Sequence, residues 1–120
     1  MIRLFLVLVG ALAIATAAFG QSTSTPTLKG SVGPAFTISL TKGGQTVKTL
    51  KAGMYRFSVS DKSAIHNFTL QRVTKPTTTK VVTSTAFTGS KSATVKLTRG
   101  RWEYFCSVHK SLMHAFFTVR

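Results

Sequence analysis

The chain has 120 residues, with 16 Lys and Arg against 2 Asp and Glu, a formal net charge of +14. That length suits one domain with a usable core. Asp61 and Glu103 are the only carboxylate side chains, which sets aside paired-carboxylate catalysis and carboxylate-rich Ca²⁺ or Mg²⁺ sites. The single cysteine, Cys106, excludes an internal disulfide.

The first 20 residues have the layout of a signal peptide. Arg3 supplies positive charge, residues 4–15 (LFLVLVGALAIA) are apolar, and small residues follow. The apolar stretch from Leu4 to Phe19 is shorter than the ~20 residues a spanning helix needs. Cleavage is expected after Ala17 or Gly20. The expected location is therefore exported: periplasmic, cell-surface or secreted. Residues 21–27 (QSTSTPT) form a flexible lead-in, and residues 28–120 form the domain.

Beyond the lead-in the periodicity is that of strands. Apolar and polar residues alternate at Phe36–Ile38–Leu40, Tyr55–Phe57–Val59, His66–Phe68–Leu70, Ala93–Val95–Leu97 and Trp102–Tyr104–Cys106. A last apolar run covers Phe116–Val119. Gly43-Gly44, Gly53, Gly89 and Arg99-Gly100 mark turns. Residues 72–92 read as a long connection with a short edge strand near Val81–Val82. No window carries a helical stripe. The expected architecture is an all-β antiparallel sandwich or barrel.

All three histidines and the cysteine fall in two places. One is Ile65-His66-Asn67-Phe68; the other runs from Cys106 to His114 (CSVHKSLMH). Alternation turns His66 and Cys106 inward, at one end of the core. His109 and Met113 follow from the loop after Cys106. One thiolate, two imidazoles and a weak thioether are the donor set of a blue-copper electron-transfer site. A bound metal also accounts for a lone thiol in an exported protein, where cysteines are normally paired.

The motif His66-Asn67-Phe68 followed by Tyr104-Phe105-Cys106-Ser107-Val108-His109-Lys110-Ser111-Leu112-Met113 resembles the cupredoxins, especially plastocyanin-like copper proteins. The resemblance extends from about Leu28 to Val119. It implies a Greek-key β-sandwich of about seven to eight strands. It also implies one Cu(I)/Cu(II) ion per chain, held by His66, Cys106, His109 and Met113. Asn67 would tie the two ligand loops together. Val108 stands where many members carry Pro, and Ala115 where Gly is common. His114, directly after Met113, is a competing fourth ligand.

The expected function is an exported copper electron carrier and not an enzyme. Two alternatives stay open: a copper carrier or scavenger without electron transfer, and a zinc domain built on Cys-His₃ with His114. A thiol enzyme lacks an evident orienting group. A charge-only surface protein would be indifferent to Cys106. The basic residues are dispersed, which fits an acidic redox partner or an anionic envelope surface better than specific nucleic-acid binding. A monomer is expected. Asn67-Phe68-Thr69 matches a glycosylation sequon, which a buried strand end would block.

Overall fold

The alternating runs form strands that bury one face each. The computed structural model describes residues 11, 13–15 and 24–120. Most of the expected signal peptide and part of the lead-in lie outside the described residues. The strands are β1 (Thr27–Val32), β2 (Ile38–Lys42), β3 (Gln45–Thr46), β4 (Thr49–Leu50), β5 (Gly53–Asp61), β6 (Phe68–Arg72), β7 (Thr78–Thr83), β8 (Gly89–Leu97), β9 (Gly100–Phe105) and β10 (His114–Val119). Eight of these have five residues or more; β3 and β4 are two-residue pairings.

They build two five-stranded sheets, β3-β2-β1-β5-β8 and β4-β10-β9-β6-β7. This is the all-β Greek-key sandwich expected from the sequence. Its core includes Leu28, Leu40, Phe57, Phe68, Leu70 and Leu97, all at most 1% exposed. The Phe68 and Tyr104 rings stack across it, with centroids 5.8 Å apart. The φ values of Gly43 and Gly44, 57° and 79°, suit a two-residue hairpin turn whose twist matches the flanking strands.

Four details differ from the sequence expectation. β1 pairs parallel with β5, and β4 parallel with β10, so the sheets are mixed rather than purely antiparallel. Strand direction depends on long connections, which local alternation does not encode. β1 itself is masked in the sequence because Gly30 interrupts the inward series Leu28–Gly30–Val32. A Cβ at Gly30 would lie 3.0 Å from Phe68 Cε2 and from Val59 Cγ2, so the gap in hydrophobicity makes room for the core. Phe36 lies before β2 and is 53% exposed. The stretch 72–92 carries the expected edge strand at Val81–Val82 as the six-residue β7, while Gly53, Gly89 and Gly100, read as turn residues, open β5, β8 and β9.

Candidate metal centre

β5, β6 and β9 place the site at one end of the sandwich. Beyond β5 the chain turns, and His66 N–H donates to Ser63 O at 3.2 Å. That turn delivers His66 to the core two residues before β6 begins. Cys106 follows the last residue of β9 and is fully buried. The 106–113 loop then closes on itself. Cys106 N–H donates to Met113 O at 3.0 Å, and Met113 N–H donates to His109 O at 2.9 Å. His109 N–H donates to Cys106 O at 3.2 Å, which folds the loop back over the cysteine without a proline at Val108.

The result is a compact triangle of donor atoms. His66 Nδ1 and His109 Nδ1 are 3.1 Å apart, and each is 3.8 Å from Cys106 Sγ. Metal bonds of about 2.0–2.3 Å to imidazole nitrogen and thiolate span a triangle of this size. A soft thiolate beside two borderline imidazoles suits a late first-row ion better than Mg²⁺ or Ca²⁺. Met113 is fully buried, packs in the core cluster, and is joined to both Cys106 and His109 by the backbone bonds above. His66 and Cys106 are inaccessible; His109 is the member of the triangle that is partly exposed.

Asn67 braces this triangle. Its main-chain N–H points at Cys106 Sγ, 3.5 Å away. Its side chain uses every donor and acceptor it has. Nδ2 donates to Ser107 Oγ at 2.6 Å and Thr85 Oγ1 at 3.1 Å. Oδ1 accepts from Ser107 N–H at 2.9 Å and Thr69 Oγ1 at 3.2 Å. The two segments that carry His66 and Cys106 are therefore bolted together. With Asn67 5% exposed and its amide fully bonded, the residue offers no glycan acceptor.

His114 takes no part in the triangle. It lies on the outward face of β10, with Nδ1 3.2 Å from Glu103 Oε2. Lys110 Nζ is 3.0 Å from the other oxygen, Glu103 Oε1. Glu103 is 4% exposed, so the loop's flanks at Lys110 and His114 are both pinned to one buried carboxylate. Sequence reasoning found no motif around Glu103, because its partners lie seven and eleven residues away across the ligand loop. Phe36 was also misplaced. The bend closed by Gly33 N–H to Thr37 O (2.9 Å) sets its ring edge-on to both His66 and His109, at centroid distances of 5.7 and 5.0 Å. Gly33 has no side chain where a Cβ would meet His66 Cδ2 at 3.1 Å.

No protein-family model matches the chain, and no curated protein sequence matches it. Solved structures do. Rusticyanin, a copper protein, superposes with a TM-score of 0.56 at 18% identity, over 82% of this chain and 80% of that one. Rusticyanin from Thiobacillus ferrooxidans at higher resolution gives 0.52 at 20% identity, over 82% and 79%. Auracyanin A, a blue copper protein from Chloroflexus aurantiacus, gives 0.56 at 17% identity, over 81% of this chain and all of that one. The chain has the cupredoxin fold, with a His-Cys-His cluster at the end of its sandwich.

Proposed function

We propose that the chain is an exported, non-enzymatic electron carrier holding one copper ion. His66 Nδ1, Cys106 Sγ and His109 Nδ1 would hold the ion, and Met113 would supply a weaker thioether donor. The observation that carries this reading is the closed triangle of one sulfur and two nitrogens. Copper in such a set supplies reversible one-electron chemistry between Cu(I) and Cu(II).

The chain's own residues do the rest. The Asn67 clamp and the self-bonded loop hold the donor atoms in one arrangement for both oxidation states, which keeps reorganisation small. The Asn67 N–H stabilises charge on the thiolate sulfur. Burial of His66, Cys106 and Met113 keeps water from the donor atoms. His109 gives the route out, because it alone of the three cluster residues reaches the surface. Around that end stand exposed Phe36, Ile65, Val108 and Leu112, between 53% and 66% accessible. An apolar rim of this kind suits brief contact with a redox partner, and the chain's excess of Lys and Arg favours an acidic one.

His114 is committed to Glu103 on the outer face, which favours copper with Met113 over a Cys-His₃ zinc site. Voltammetry of the copper-loaded protein tests the electron-carrier reading. A reversible one-electron wave without metal loss is expected. Irreversible reduction, or ready surrender of copper to a chelator on reduction, supports a delivery protein instead.

A further inference from the structure

The outward face of the first sheet has a composition that the metal site does not explain. Leu28, Val32, Tyr55, Phe57 and Val59 turn inward, so the alternate residues of β1 and β5 face solvent. Register aligns them with their neighbours on β2 and β8. Ser39, Ser31, Ser60 and Ser90 form one row across four strands. The next row is Thr41, Lys29, Ser58 and Ser92. Thr27, Arg56 and Thr94 follow, and then Met54 beside Lys96. Strands lie about 4.8 Å apart, so this is a close grid of small hydroxyls with cations set among them.

The grid carries no carboxylate. The chain has two, and neither is here: Asp61 is buried among inward residues, and Glu103 lies under Lys110 and His114 on the second sheet. Lys29, Arg56 and Lys96 therefore have no internal counter-ion. At the base of this face, at the end opposite Cys106, is an open cleft of about 600 Å³. Lys42, Lys48 and Lys51 line it, together with Gln45, Thr46 and Tyr55. The cleft adjoins the face at the start of β1: Pro26 lines the cleft, its carbonyl accepts the Arg56 N–H at 2.9 Å, and Thr27 begins the grid.

We infer that this face and cleft bind an extended polyanion bearing repeated phosphate groups. Phosphate oxygens accept from Ser and Thr hydroxyls and pair with Lys and Arg, which are the groups the grid presents. Met54 is the grid's only large apolar side chain, and the cleft's Val47 and Leu50 are buried, so nothing is placed to enter the acyl region of a bilayer. The grid has no aromatic side chain on which bases could stack, and the cleft's Tyr55 is buried with its hydroxyl donating to Lys51 O, so a nucleobase adds nothing to recognition. A chain anchored along the first sheet leaves the apolar rim at the metal end free. The inference stands whether or not the triangle holds copper.

Long-chain inorganic polyphosphate is the probe, with binding followed by calorimetry over a range of salt concentrations. Lys29→Gln/Arg56→Gln is compared with Lys75→Gln/Lys80→Gln, which removes equal charge elsewhere. The face variant should weaken binding ~10-fold and lower the salt slope by about 2, the matched variant much less. Cys106→Ser should bind like the parent, which separates this test from that of the metal site. Far-UV circular dichroism confirms that each variant is folded. Equal losses in the two charge variants would overturn the inference in favour of diffuse attraction. Binding to phosphatidylglycerol vesicles but not to polyphosphate would overturn it in favour of a membrane surface.

Discussion

The Asn67 main-chain N–H lies 3.5 Å from Cys106 Sγ, while the Asn67 side chain grips Ser107, the next residue along. One residue thus hydrogen-bonds the proposed thiolate ligand and fixes the loop that carries it. Asn67→Ala leaves the Ser107 N–H without its acceptor and opens a small polar gap. We predict a loss of ~2 kcal/mol in stability, since buried unpaired groups cost about 1–3 kcal/mol each. With copper bound, the visible band should broaden and shift. Chemical denaturation and absorption spectra check the two effects separately.

The pinning of the loop at Glu103 gives a second prediction. Glu103→Gln keeps the shape but removes the charge that faces Lys110 and His114. Both partners are substantially exposed, so solvent screens the pairs and the expected loss is ~1 kcal/mol. The metal should also exchange faster, because the loop from Cys106 to Met113 loses an external tether. Thermal melting and the rate of copper removal by a chelator report these.

His114→Ala should leave a Cys106-dependent visible band intact, with one copper per chain. His114 points to Glu103, away from the triangle. Loss of metal binding in this variant would revive the Cys-His₃ zinc arrangement. Zinc and copper affinities measured side by side distinguish the cases.

Gly30→Ala probes the fold that positions the site. The added methyl would come within 3.0 Å of both Phe68 and Val59. Overpacking of this kind costs ~1–3 kcal/mol. Because Phe68 lies two residues from His66, the same variant should disturb the metal site's spectrum slightly. Equilibrium unfolding gives the stability term.

Burial pushes the Tyr104 phenol above its ordinary ionisation range. The folded protein therefore keeps that proton where the unfolded chain has lost it. Its contribution is complete below the unfolded value, about pH 10, and is lost as pH rises through the folded value. Tyr104→Phe should flatten the alkaline fall in stability above about pH 10 relative to the parent. Urea denaturation across that range measures the difference.

Alternation along Tyr55–Phe57–Val59 and Trp102–Tyr104 was enough to identify inward faces and to bring His66 and Cys106 to one end. The short spacing from Cys106 to His109 and Met113 made the loop readable, because its geometry is local. Features that depend on distant chain were not. The parallel pairing of β1 with β5 leaves no local trace. Gly30 hides a strand because its value is the absence of a side chain, visible only once Phe68 is in place. Phe36 continues the alternation of Ile38 and Leu40, yet the Gly33–Thr37 bend lifts it onto the histidines. Glu103 alternates outward like any polar strand residue, and only the folded loop shows what it holds.

The central claim is that Cys106 is a copper thiolate. A Cu(II) titration of the metal-free, reduced protein, followed by visible absorption with Cys106→Ser beside it, tests this most directly. The account predicts an intense visible band that saturates at one copper per chain and is absent from the serine variant. A titration without such a band, or with one that persists in Cys106→Ser, would contradict it.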